Sequence, residues 1–223
     1  MNGAAPQPAC AANSGVLRPG RAPLAHLLHA LNQPLTGLQC SLELAAAGPR
    51  STEQYRKTLL DGLELTARMR NLVEAMTEIA ELQQLSGEKE KVPLGDILSD
   101  TVEDLLPVAQ AKAVYLSLEK RGSLLVPGSR RVITGLAFRL LESALSGTRG
   151  GGVLRIIARQ DEQKTCLNIV WEQERLADPC PGSLSELGLL VAQAGWEHVG
   201  AEWTLASEGL QQRCVICLPL ASS

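Results

Sequence analysis

Aromatic side chains are scarce in this chain: three Trp, two Tyr and one Phe make up 3% of its 223 residues. Because 45% of the residues are nevertheless hydrophobic, the core has to be built from Leu, Val, Ile and Ala. Such a core favours helices and simple α/β layers over an aromatic-rich β-sandwich. The length is that of one or two domains.

The chain also lacks an excess of positive charge and a long apolar run. Its formal net charge is −3 at pH 7, which gives no basic surface of the kind that binds nucleic acid. No hydrophobic stretch approaches the ~20 residues of a membrane-spanning helix. Residues 1–22 have no charged start followed by an apolar block, so they do not form a secretory signal, and their Ala, Pro, Gly and Asn content predicts a flexible arm. We therefore expect a cytoplasmic protein with no nucleic-acid partner and no membrane span.

The six cysteines are scattered along the sequence. Cys214 and Cys217 have the CxxC spacing, but they lie in a segment that has the pattern of a strand, where residues three apart face opposite sides. We therefore expect no metal site and no disulfide. Reduced, mostly buried thiols are typical of a cytosolic protein.

Leucines in the first third of the chain follow a helical seam. From residue 24 onward they recur at alternating spacings of four and three, the pattern of helices packed nearly parallel or antiparallel in a bundle. The seam consists of Leu24, Leu28, Leu31, Leu35, Leu38 and Leu42. Gly48 and Pro49 end this helix, and Ser51 with Gln54 forms a capping box that begins a second long helix.

The second helix, to about residue 85, has a seam of its own that includes Leu65, Met69, Leu72, Met76 and Ile79. Two long helices joined by a short loop form an antiparallel hairpin, here over residues 23–86. Its apolar stripe has no obvious cover elsewhere in the chain. Two copies that meet as a four-helix bundle would bury it, so we expect a homodimer.

After a polar hinge at 87–91 the hydrophobic periodicity changes. The pattern over residues 92–221 predicts a two-layer α/β domain with helices on one face of a sheet. Strands are expected at 92–94, 114–119, 153–159, 166–172, 202–207 and 213–220, and helices at about 96–111, 129–146 and 183–198.

His29 is the candidate catalytic residue. It follows Leu28 by one position, about 100° around the helix, so it lies beside the seam and is expected to be exposed. Gln33 and Thr36 share its face. An exposed imidazole on a rigid helix is a competent nucleophile for a phosphoryl group. Periodicity alone favours the alternative interpretation, an ordinary surface histidine followed by an ordinary kink at Pro34.

The segment His29–Thr36, HALNQPLT, resembles the H-box of bacterial sensor histidine kinases, above all the subgroup that reads H-E-L-N-Q-P-L; only Ala30 departs from it. The closing segment, from the Leu-Gly-Leu at 187–189 to the Leu-Pro-Leu at 218–220, is similar to the C-terminal pattern of these kinases. The resemblance implies a dimeric hairpin that carries a phospho-accepting His29, followed by an α/β domain of the histidine kinase/gyrase ATPase type.

The same resemblance implies a partner and a docking surface. The partner is the receiver domain of a response regulator. The residues implied in docking are His26, Asn32, Pro34 and Thr36. Gln33 stands where family members place an amide or hydroxyl that orients a hydrolytic water for phosphatase activity; the alternative is a solvated helix residue.

Several ATP-site motifs of the family are missing. The two Asn positions of the N-box hold Arg139 and Ser143, the glycine-rich lid is reduced to Gly188, and the D-x-G-x-G loop is absent. Ala30 replaces the carboxylate that usually follows the histidine and acts as a base when ATP is the donor. The resemblance therefore implies a degenerate ATP site with Ser143 and Gly188 as its remaining positions, doubtful use of ATP and Mg²⁺, and Mg²⁺ supplied by the partner receiver.

These features favour a phosphorelay protein of two-component signalling, in which His29 exchanges a phosphoryl group with receiver aspartates. Two alternatives stay open from the sequence. One is an active sensor histidine kinase with a divergent ATP site. The other is a non-enzymatic pseudokinase scaffold that binds a receiver domain.

Overall fold

The computed structural model describes residues 23–84, 90–173 and 184–220. The first of these ranges forms the predicted helical hairpin, with α1 at Pro23–Ala46 and α2 at Thr52–Gln84. The two helices run antiparallel, since Gly37 lies against Leu65 and Gly62 lies against Leu38. The arm predicted at 1–22 lies outside the described residues.

The predicted capping box at the start of α2 is confirmed. The backbone N–H of Ser51 donates to Oε1 of Gln54 at 3.0 Å, and the N–H of Gln54 donates to Oγ of Ser51 at 3.2 Å. These two bonds satisfy donors that have no partner within the helix. The pair therefore fixes where the hairpin turns.

The leucine seam of α1 divides into two sides. Leu31 and Leu38 are half-buried, and Leu38 lies against α2. Leu28, Leu35 and Leu42 stay about half exposed, at 50%, 51% and 51%. The hairpin alone thus leaves a leucine row of α1 uncovered.

The other two described ranges, 90–173 and 184–220, alternate short strands with three helices. The bounds are β1 at Glu90–Pro93, α3 at Leu94–Ala111, β2 at Tyr115–Arg121, β3 at Leu125–Gly128, α4 at Arg130–Gly147, β4 at Val153–Gln160, β5 at Lys164–Glu172, α5 at Leu184–His198, β6 at Glu202–Glu208 and β7 at Gln211–Pro219.

Five of these strands form a mixed sheet in the order β2-β4-β5-β7-β6. The β2–β4 pair is parallel and the other pairs are antiparallel. Alternate residues of β4, β5 and β7 are buried, and they form one core with the apolar sides of α3, α4 and α5. The predicted fold, a hairpin followed by a two-layer α/β domain, is confirmed.

Two short elements differ from the sequence prediction. β3 was missed because its four residues include Pro127 and Gly128 and have no clear alternation; it pairs with β1. The hinge predicted at 87–91 falls partly outside the described residues, and its last two residues, Glu90 and Lys91, belong to β1 instead. The Glu90 side chain accepts a hydrogen bond from the backbone N–H of Arg130 at 3.1 Å, so β1 caps α4.

The expectation of unpaired thiols is wrong for two cysteines. Cys166 in β5 and Cys217 in β7 form a disulfide across the antiparallel pair, where they face each other in register. The partner of Cys217 lies 51 residues away and is set by strand register, which the CxxC spacing of Cys214 and Cys217 does not reveal. Cys214 lies on the opposite, buried side as predicted, and burial raises the pKa of its thiol. The cysteines therefore no longer support the cytosolic assignment.

Candidate functional site

His29 lies on the outer surface of α1 with its side chain exposed. Asn32, Gln33 and Thr36 are also exposed, so this part of the helix presents a polar surface. The Thr36 hydroxyl donates to the carbonyl of Asn32 at 2.9 Å. The described part of the chain offers the His29 imidazole no hydrogen bond and no ion pair. An incoming group can therefore reach it without displacing a protein partner.

Pro34 is not part of this exposed polar surface. Pro34 is buried within the hairpin while α1 continues through it, so its ring cannot be a contact for a docked protein. Proline has no N–H to donate to the carbonyl of Ala30, and its contribution is to the backbone beneath the polar surface. His26 belongs to α1, but its side chain lies outside the described residues.

The α/β domain packs directly beside this surface. Leu27 of α1 is fully buried, together with Leu72, Ala75 and Ile79 of α2. These residues form one apolar cluster with α5, the last helix of the α/β domain. Its members from α5 are Leu187, Val191 and Ala194. The cluster fixes α5 against the part of the hairpin that carries His29.

This cluster also explains the residue that follows the histidine. Ala30 is half-buried and packs against the same apolar cluster. A carboxylate at this position would have its charge beside apolar side chains, which is costly unless the charge is paired. The packing of α5 therefore favours a small apolar residue at position 30.

Ser143 and Gly188, which the sequence predicts as the remaining positions of a degenerate ATP site, contact each other. Gly188 of α5 lies against Ser143 of α4, and a Cβ added to Gly188 would lie 3.1 Å from the Ser143 Cβ. Ser143 is only 5% exposed, and its hydroxyl donates to the carbonyl of Arg139 at 2.7 Å. α4 and α5 approach each other so closely that a methyl group does not fit between them. A nucleotide therefore does not fit between these two residues.

This contact predicts a large effect of one methyl group. Gly188→Ala should lower the free energy of unfolding by about 1–3 kcal/mol through overpacking, although Ala is the better helix former. Gly135→Ala in α4 is the matched control, because an added Cβ there meets no atom within 4 Å. The control should raise the free energy of unfolding by up to about 1 kcal/mol. Urea denaturation measures both.

A second substitution checks that Ser143 is the cause. In a Ser143→Gly background, Gly188→Ala should lower the free energy of unfolding much less, since the Cβ and Oγ of Ser143 that crowd the new methyl group are then absent. If Gly188→Ala and Gly135→Ala stabilise the protein equally, α4 and α5 are not in the contact described.

Arg139, one helical turn before Ser143 in α4, contacts the hairpin. Its Nη2 forms a short ion pair with Oε2 of Glu78 in α2, and its Nη1 lies 3.8 Å from Oε2 of Glu142. This contact was not predicted from the sequence, where Arg139 stood out only as a departure from the N-box pattern. The only signal in the sequence for this ion pair was an acidic residue on the facing helix, and many acidic residues meet that condition. Because the pair is partly exposed, its contribution to stability is about 0–1 kcal/mol, and it serves mainly to orient the two helices.

No model of a known protein family matches the chain, and no curated protein matches its sequence. Solved structures do match. The histidine kinase AdeS of Acinetobacter baumannii is 20% identical with a TM-score of 0.56, over 87% of this chain and 98% of that one. The histidine kinase ThkA, solved in complex with the response regulator protein TrrA, is 14% identical with a TM-score of 0.58, over 88% and 60% of the two chains.

Full-length ShkA, solved in complex with AMPPNP, is 15% identical with a TM-score of 0.56, over 90% of this chain and 46% of that one. At these identities the likeness is one of fold. The chain has the fold of a histidine kinase core, a helical hairpin followed by an α/β domain of the ATPase type. In the described ranges, no helix is long and apolar enough to cross a membrane.

Proposed function

We propose that this protein is a dimeric phosphorelay protein of two-component signalling. In this proposal His29 accepts a phosphoryl group from the aspartate of one receiver domain and donates it to the aspartate of another. The observation that carries the proposal is the exposed His29, which has no partner among the described residues and lies in a polar helical surface, on a hairpin with the histidine kinase fold.

The transfer needs only a nucleophile from this chain. A ring nitrogen of His29 attacks the phosphorus of the receiver's aspartyl phosphate, a phosphorus–nitrogen bond forms, and the phosphorus–oxygen bond to the aspartate breaks. The carboxylate of the receiver is the leaving group, and the electron pair of the broken bond stays on it. In the proposal the receiver also supplies the Mg²⁺ that stabilises the developing charge. The second transfer is the reverse reaction with a different receiver.

The contact between Ser143 and Gly188 supports a receiver, rather than ATP, as the donor. A methyl group does not fit between these residues, and Arg139 is engaged with Glu78. Ala30 offers no base next to His29, which matters less when the donor is already an activated acyl phosphate. In this proposal the α/β domain has a structural and docking role, and the transfer requires no cofactor held by this chain.

The docking surface in this proposal is the exposed side of α1 around His29. Asn32 and Thr36 are exposed and would offer polar groups to a receiver. In this proposal Gln33, exposed one helical turn after His29, orients a water molecule at a receiver's aspartyl phosphate. Pro34 shapes this surface from below. In this proposal the protein acts as a homodimer, because the exposed leucine row of α1 is available to a second copy.

The choice of donor tests the proposal directly. Purified protein is incubated with radiolabelled Mg²⁺-ATP, and in parallel with a panel of receiver domains labelled through a small phosphodonor. We expect acid-labile, alkali-stable label from at least one receiver and none from ATP. Label from ATP at His29 would make the protein a kinase, and binding of a receiver without any label would make it a non-enzymatic scaffold.

A further inference from the structure

A cavity of about 290 Å³ lies where the hairpin meets the α/β domain. It is bounded by the end of α2, the first half of α4 and the middle of α5. Its apolar part is formed by Val132 and Leu136 of α4 and Val191 of α5. The volume is close to the lower limit of about 300 Å³ for small-molecule sites. The space therefore suits a molecule with one compact apolar group.

Charged side chains of opposite sign border the apolar part. At one end, the guanidinium of Arg139 is already neutralised by Glu78 and lies near Glu142. Glu81 of α2 and Arg131 of α4 also line the cavity, and neither has a hydrogen bond or ion pair with any residue that the structure describes. One carboxylate from α2 and one guanidinium from α4 are thus available to a ligand.

Gly135 marks the open side of the cavity. It lines the space, and a Cβ added there would meet no atom within 4 Å. A glycine in a helix interior is unfavourable relative to alanine, and here no close neighbour requires one. The absence of a side chain keeps this part of the cavity empty.

We propose that this cavity binds a small zwitterion with an apolar body, of the size and charge of free leucine or phenylalanine. The ligand's ammonium group pairs with Glu81, its carboxylate pairs with Arg131, and its side chain rests on Val132 and Leu136. Nucleotides fit the cavity poorly, since Glu78 and Glu81 balance Arg131 and Arg139 in its lining and leave no excess of positive charge for phosphates. Because the ligand contacts α2 and α4 together, it stabilises the attachment of the α/β domain to the hairpin.

Calorimetric titration of the full chain tests the proposal with L-leucine and L-phenylalanine as probes. Isoamylamine and isocaproate serve as controls, since each keeps the leucine side chain and lacks one of its two charges. We expect at least one amino acid to bind and both single-charge analogues to bind about tenfold more weakly or worse, because each loses one charge-assisted hydrogen-bonded pair. Equal binding of the analogues would overturn the zwitterion assignment.

Two substitutions at Gly135 locate the site. Gly135→Phe fills the open part of the cavity and should abolish binding, while Gly135→Ala should keep it within about threefold, since a single methyl group occupies little of the space. Circular dichroism establishes that both variants are folded. Glu81→Gln and Arg131→Gln should each weaken binding about tenfold. Binding unchanged by Gly135→Phe, displacement of the amino acid by ATP, or no binding of either amino acid at millimolar concentration would overturn the proposal.

Discussion

Replacing His29 with Ala should lower the transfer of phosphate from a labelled receiver by at least about a thousandfold, because the substitution removes the nucleophile that forms the new bond. The substitution should have little effect on stability, since the imidazole is exposed and has no partner in the described part of the chain. The measurement is the initial rate of label loss from the receiver and of label gain on this protein. Circular dichroism of the variant excludes unfolding as the cause.

His198 provides the matched control. It is an exposed histidine at the end of α5, so His198→Ala removes the same chemical group from another surface and should transfer phosphate at the wild-type rate. Full transfer by His29→Ala would refute the assignment of His29. Loss of transfer in both variants would show that the assay reports general damage rather than chemistry.

Gln33 can be separated from His29 in the same assay. If its amide orients a water molecule, Gln33→Ala should slow the release of free phosphate from the receiver several-fold and leave the formation of phosphohistidine unchanged. A solvated helix residue without a role would change neither rate. The two products, inorganic phosphate and labelled protein, are resolved from each other on the same gel and chromatogram.

The second large effect concerns assembly. Leu35→Glu should convert a dimer into monomers, because Leu35 is central in the row that α1 leaves exposed. Full burial of a leucine contributes about 1.5–3 kcal/mol, and a symmetric interface contains each position twice. The dissociation constant should therefore rise by at least a hundredfold. Sedimentation velocity at micromolar concentration measures it.

Leu44→Glu is the control for this substitution. Leu44 is also exposed in α1, at 60%, but it is about 200° around the helix from Leu42 and so lies away from the row. This variant should remain a dimer. A monomeric wild-type protein at micromolar concentration would contradict the dimer outright.

The hairpin was predictable because its information is local. Leucine spacing, the Gly48–Pro49 break and the reciprocal bonds of Ser51 and Gln54 all act within a few residues, and each was found where the sequence placed it. The exposure of His29 followed from the same periodicity. A helical pattern specifies which residues share a side of the helix. This information is sufficient to predict how two neighbouring helices pack.

The contacts that surround the site could not be found in this way. Leu27 falls outside the heptad seam because its burial comes from α5, which lies more than 150 residues later in the chain. Cys166 faces Cys217 only because of the register between β5 and β7. The ion pair between Arg139 and Glu78 depends on how two domains approach each other. In each case the cause is a packing geometry that the sequence specifies only through the whole fold.

The apolar cluster shared by α5 and the hairpin has a consequence for cooperativity. α5 contributes Trp196 and Ala192 to the core of the α/β domain and Leu187 and Val191 to the cluster with the hairpin. One helix therefore contributes to two cores, and neither part of the chain can lose its packing without weakening the other. The hairpin and the α/β domain should therefore unfold in one transition. A substitution that stabilises either unit should raise the unfolding temperature of both.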